Sequence, residues 1–181
     1  MAFSFSRPKK RVQICLDGSL IARAQELTDQ ADVLRQKSVV DDRFKRDLSK
    51  VHREMRENRD AFDKASIYVI VQGLKRSVWE AFIAEHPKRE GQQLDDAFGF
   101  NTDTLFPAVI MNTETPSIIQ ILDHEGLVQP FTPEELTELV DEMTKSQYEE
   151  ICLAVYAVNG QVQTVPFSPT AFAATKSSAE K

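Results

Sequence analysis

Between Ser19 and Gln72 the chain contains neither glycine nor proline. A stretch of that length with no helix breaker leaves room for long helices. Within it Leu20, Ala24, Leu27, Ala31 and Leu34 are spaced alternately four and three apart. Phe44, Leu48, Val51, Met55 and Phe62 follow the same rhythm, with Asn58 interrupting the seam. Both runs are narrow apolar stripes on otherwise charged helices, the pattern of a coiled-coil face. Leu20, Leu27, Leu34, Leu48, Met55 and Phe62 share one seven-residue register, but the flanking apolar position changes sides between the runs. Ser38-Val39-Val40-Asp41-Asp42 sits at the switch, where β-branched residues give way to aspartates able to cap a helix. The spacing predicts a hairpin of two antiparallel helices, roughly 19–37 and 42–64. A single helix of about 45 residues, near 70 Å long at about 1.5 Å per residue, is the competing arrangement.

Strand signals flank this region. RVQICLD (11–17) alternates, with Val12, Ile14 and Leu16 on one face and Arg11, Gln13 and Cys15 on the other. Asp17-Gly18-Ser19 supplies a turn and a helix cap. SIYVIVQG (66–73) is dense in β-branched and aromatic residues. A helical hairpin returns the chain to its start, so the two strands are expected to pair across its base. The remainder reads as helices: Trp79, Phe82 and Ile83 on a helix ending at His86-Pro87, then TPSIIQILDHEG (115–126), FTPEELTELVDEM (131–143) and SQYEEICLAVYAVNG (146–160). Thr132 and Glu135 form one capping box, and Ser146 with Glu149 a second. VQTVPFSP is expected to be extended, and AFAATKSSAEK a polar tail.

The expected fold class is therefore mainly α. An N-terminal helical hairpin with a small two-stranded β element is followed by a C-terminal helical bundle. The expected division is 1–73 (strand, hairpin, strand), 74–165 (helical domain) and 166–181 (extended tail). At 181 residues the chain suits one domain better than two, and 41% hydrophobic residues can furnish a core.

Charge separates the two halves. Residues 1–66 carry +4 and residues 67–181 carry −10 of the overall −6. The acidic half argues against nucleic acid and membrane surfaces as partners. Arg7 to Arg11 reads as a solvated basic arm. Helices 133–143 and 146–158 have helix-turn-helix lengths, but the second holds Glu149 and Glu150 and no Lys or Arg. That composition cannot read DNA. Cys15 and Cys152, in apolar surroundings without close spacing, are expected to be reduced core residues. MAFSFSRPKKR has no apolar h-region, so no secretory signal is expected. The run ICLAVYAV is too short to span a bilayer.

No phosphate loop, dinucleotide fingerprint, zinc-protease motif or nucleophile elbow occurs, and His52, His86 and His124 are scattered. Catalytic, cofactor-binding and metal-ligating residues are therefore all expected to be absent. The stretch DDAFGFNTDTLFPAVI (95–110) stands out for its three phenylalanines and interior Pro107. Pro107 is tolerable if a helix begins near Asp103 or Thr104. Most of the stretch reads as core, with an exposed groove for a partner helix as the other reading. Phe98, Phe100, Phe106 and Tyr156 are the candidate partner-binding residues.

The order of RVQICLDG, the charged hairpin, IYVIVQGL, WEAFIAEHPKREGQQLDDAFGFNTDTLFPAVI and YAVNGQVQTVPFSP resembles tail assembly chaperones of long-tailed actinobacterial phages and prophages. The likeness runs over roughly 11–170. Relatives usually carry a Ser-Asp-Gly-Gln turn before the last helix and an Asn-Arg pair ending it. Here those positions read Thr144-Lys145-Ser146-Gln147 and Asn159-Gly160. The resemblance implies a non-enzymatic helper in the bacterial host cytoplasm, absent from the mature virion. It would coat the tape measure protein, keep that long helical chain soluble and help recruit tail tube protein. Residues 74–165 are expected to bind the partner and the hairpin to self-associate, giving a homo-oligomer. A structural tail or connector protein retained in the virion is the alternative.

Overall fold

The computed structural model describes residues 5–39, 41 and 43–161. Its centre is a four-stranded antiparallel sheet in the order β1-β2-β3-β4, made of Lys9–Cys15, Ser66–Gln72, Ile118–Leu122 and Val128–Gln129. Helices α1 (Gly18–Ser38) and α2 (Phe44–Lys64) lie between the first two strands in sequence. The remaining helices among the described residues are α3 (Arg76–Glu85), α4 (Gln93–Phe98), α5 (Thr102–Ile110), α6 (Pro133–Glu142) and α7 (Lys145–Asn159).

The sheet overturns the expected fold class. The β element has four strands rather than two, and the C-terminal half is no helical bundle, because it contributes β3 and β4. Residues 115–126, expected as a helix, instead form β3 and the turn after it. In that turn Asp123 Oδ1 accepts from the amides of Glu125 (3.0 Å) and Leu127 (2.9 Å). Gly126 takes φ +86°, a left-handed conformation that favours glycine. The expected terminal glycine of a helix is thus the pivot of a β-hairpin.

Alternation places Val12 and Ile14 of β1 and Val69 and Val71 of β2 on the buried face of the sheet. Ile118 and Ile121 of β3 join them. Leu16, expected beside Val12 and Ile14, lies past the strand end and is exposed, while Cys15 is buried. Lys9 to Arg11 belong to β1 rather than to a free arm, and the Arg11 guanidinium sits 3.4 Å from the Tyr68 ring centroid. This cation–π contact lies on the face opposite the core.

Helix α7 packs on β1 and β2 through Ile151, Ala154 and Val155, spaced i, i+3, i+4. Both its ends are tied to the sheet. Gln147 Nε2 donates to the Cys15 carbonyl (2.7 Å), and the Leu74 amide donates to Asn159 Oδ1 (2.7 Å). Close packing at the second tie explains Gly73, where a Cβ would lie 2.8 Å from the Val158 carbonyl oxygen. The α7 capping box uses Thr144 and Gln147, two residues earlier than the expected Ser146 and Glu149. The Thr132–Glu135 box opens α6 as the sequence indicates.

The helical hairpin is present in place of a single long helix, with Arg23 Nη2 on α1 meeting Glu54 Oε2 on α2 at 2.7 Å. Asp41 supplies a turn contact, accepting from the Arg43 amide at 2.9 Å; Asp42 lies outside the described residues. The expected division at residue 73 falls between strands and helices that share one core, since Val12, Ile14, Val69 and Val71 cluster with Phe106, Val109, Ile151 and Val155. The expected extended segment from Val162 and the tail 166–181 lie outside the described residues.

Candidate functional site

The phenylalanine-rich stretch folds as two short helices around a turn. Helix α4 ends at Gly99 in the left-handed conformation (φ +86°), and Asn101 caps α5 by accepting from the Asp103 amide (3.1 Å). Helix α5 begins at Thr102, earlier than expected, so Pro107 lies beyond its first turn. Its missing N–H denies the Asp103 carbonyl the usual i+4 donor.

A brace holds the two helices together. Asp95 is fully buried (0% exposed) and accepts from the Arg89 amide, Nε and Nη2 and from the Thr102 amide and hydroxyl, at 2.7–3.1 Å. Arg89 Nη1 also donates to Asp103 Oδ2 (2.6 Å). The Arg89 side-chain bonds, ahead of the opposing effect of burial, hold the Asp95 carboxyl well below the usual carboxylate range. A loop residue thus locks α4 to the start of α5.

The rings of Trp79, Phe98, Phe100, Phe106 and Tyr156 form a cluster of edge-on and tilted contacts, with centroids 4.7–6.3 Å apart. Phe100 is only 1% exposed. Of the four expected partner-binding residues, Phe100 and Tyr156 serve the core. Phe98 and Phe106 also reach a groove between α4, α5 and α7.

That groove, of about 490 Å³, is the candidate site. Leu94, Phe98, Phe106, Pro107, Tyr148, Cys152 and Leu153 give it an apolar lining, and Thr102, Asp103, Lys145 and Glu149 supply the polar groups. Leu94 on α4 and Leu153 on α7 are 64% and 52% exposed. Burial pushes the Cys152 thiol up to about 11, and it raises the Tyr148 phenol above its usual range. Both groups are neutral near pH 7, so the groove floor offers packing surface rather than a thiolate. Acidic groups beside it are ion-paired: Asp103 with Arg89, Asp96 with Lys88 (2.9 Å) and Glu149 with Lys145 (3.7 Å).

Sequence reasoning missed Leu94, Pro107, Tyr148, Cys152 and Leu153 as groove residues. The available signal was the unbroken run ICLAV, because a helix apolar on all sides must either be wholly buried or offer one face to something else. His86 pairs with the Thr104 hydroxyl (2.9 Å) at the end of α3. Among the described residues no group of three His, Cys, Asp or Glu is arranged to hold a metal ion. Among the same residues no helix is long and apolar enough to cross a membrane. No family model, curated protein or solved structure matches the chain.

Proposed function

We propose that the chain is a non-enzymatic tail assembly chaperone whose α4–α5–α7 groove holds an apolar helical segment of the tape measure protein. The observation that carries the reading is the groove itself, an apolar trough flanked by the exposed Leu94 and Leu153. A long helical client needs such a surface along its i, i+3, i+4 stripe while it waits for assembly. The segment order that resembles these chaperones supplies the identity of the client. The chaperone works in the bacterial host cytoplasm, hands its client to tail tube protein and is left out of the mature particle.

Co-expression with the tape measure protein followed by pull-down tests this directly. Leu94→Glu and Leu153→Glu change exposed side chains, so folding is retained while capture falls by at least about tenfold, equivalent to about 1.4 kcal/mol. Undiminished capture by both variants would remove the groove from the reading. Detection of the chain in purified particles by mass spectrometry would favour a structural tail protein.

A further inference from the structure

Strand β1 forms one edge of the sheet. The parity of its ladder shows which main-chain groups face outward. The Gly73 amide donates to the Pro8 carbonyl and the Leu16 amide to the Ala65 carbonyl, both at 2.9 Å. Bonded residues alternate along an antiparallel pair, so Lys10, Val12 and Ile14 also turn their main-chain groups to β2. Lys9, Arg11, Gln13 and Cys15 turn theirs away from it. At Cys15 the outward carbonyl is taken by Gln147 Nε2 (2.7 Å). Among the described residues nothing bonds to the outward amides and carbonyls of Lys9, Arg11 and Gln13. An edge with three free ladder positions in succession is a template for one more strand.

Charge selects the occupant. Lys9, Lys10 and Arg11 are exposed, and with Arg7 they make a basic stripe along this edge of a molecule whose net charge is −6. Among the described residues none of these four cations has a carboxylate partner. Arg7 Nη1 donates to the Gly73 carbonyl (3.4 Å), and Arg11 lies over the Tyr68 ring. A second copy adding its own β1 would bring two basic stripes together, a destabilising pairing. The last twenty residues of the chain hold a single acid, Glu180, and two prolines, Pro166 and Pro169, which have no N–H to give a ladder. The net negative charge repels a polyanion such as nucleic acid. An extended segment with two acids spaced i, i+2 meets the requirement, because those positions share one face of a strand and reach Lys9 and Arg11 together.

We propose that β1 takes up an acidic extended segment of another protein as a further strand, antiparallel to β1. Main-chain bonds to Lys9, Arg11 and Gln13 hold the segment, and its carboxylates pair with Lys9 and Arg11 on the face away from the core. The edge shares no residue with the α4–α5–α7 groove and stands whether or not that groove binds a tape measure protein.

The probe is the end-blocked peptide Val-Thr-Glu-Val-Glu-Val-Thr, added at about 1 mM to the full chain and followed by amide exchange in NMR spectra. Exchange slows at Lys9, Arg11 and Gln13, while Lys10, Val12 and Ile14, already bonded to β2, keep their rates. A control peptide N-methylated at both glutamates has the same charge but no N–H for the ladder, and it leaves all six amides unchanged. Lys9→Glu combined with Arg11→Glu alters exposed side chains and weakens the peptide at least about tenfold. The charge-reversed chain binds Val-Thr-Lys-Val-Lys-Val-Thr instead. Unchanged exchange at the three outward amides, equal slowing by the N-methylated control, or indifference of the charge-reversed chain to either peptide would each overturn the proposal. Protection of those amides in the chain alone would also overturn it. Protection that rises with protein concentration would give the edge to a second copy, and protection independent of concentration would give it to the chain's own tail.

Discussion

At the residue scale, Asp95 shows how a carboxylate can be structural and still look like a surface charge in sequence. Asp95 and Asp96 are adjacent, and both read as solvated or capping acids. Only Asp96 is exposed, pairing with Lys88, whereas Asp95 is buried against Arg89. Arg89 lies in a loop outside any helical period, so no spacing rule connects the two. The folded carboxyl is held below its usual range by the Arg89 bonds. Its contribution to stability is therefore complete above the unfolded value of about 3.9 and fades as pH falls from there towards the lower folded value. Asp95→Asn should lower the thermal midpoint at pH 7, and its deficit against wild type should shrink as pH drops below about 4. A deficit that stays constant over that titration would show that the charge on Asp95 contributes nothing. Asp103→Asn, at the exposed end of the brace, should lower the midpoint much less.

At the scale of elements, the legible parts were those with regular periods. The α1 and α2 stripes, the alternation in β1, the β-branched and aromatic density of β2, and the Thr132 box all announce themselves locally. β3 did not, for a physical reason. Its register against β2 shifts between Ile70 and Val71, so Val71 faces Ile118 while Ile70 faces Gln120. This bulge changes the strand's parity and puts the buried Ile118 and Ile121 three residues apart. With Leu122 next to Ile121, the spacing imitates i, i+3, i+4, and Pro116 and Gly126 punctuate a strand and turn as readily as a helix. Ile118→Ala and Ile121→Ala are each expected to cost about 2–5 kcal/mol in denaturant melts. Gln120→Ala, opposite Ile70 on the other face, should stay within about 0.5 kcal/mol. Equal losses at all three positions would contradict the bulged register. The groove was less legible than the fold because its two sides come from α4–α5 and α7, segments far apart in sequence that only the shared core brings together.

For the whole molecule, the hairpin and the sheet differ in what they depend on. β1 and β2 complete the sheet on which α7 packs, so residues 74–161 alone lack half of the strands over which their core closes. The hairpin is instead inserted at the end of a β1–β2 pair whose last ladder partners are Cys15 and Ser66, and the Leu16 amide still reaches the Ala65 carbonyl (2.9 Å) beyond them. That geometry is already the mouth of a tight β-hairpin. Replacing residues 17–64 by Asn-Gly, which favours the type I′ turn that closes such pairs, should preserve the body. The losses are contacts at the hairpin base, chiefly Gln13 Nε2 to Asp63 (3.0 Å) and the Ser66 hydroxyl to the Phe62 carbonyl (2.7 Å). The shortened chain should unfold in one cooperative transition. Residues 74–161 expressed alone should show no cooperative melt. If the shortened chain failed to fold while 74–161 melted cooperatively, the molecule would divide at residue 73 rather than at the base of the hairpin.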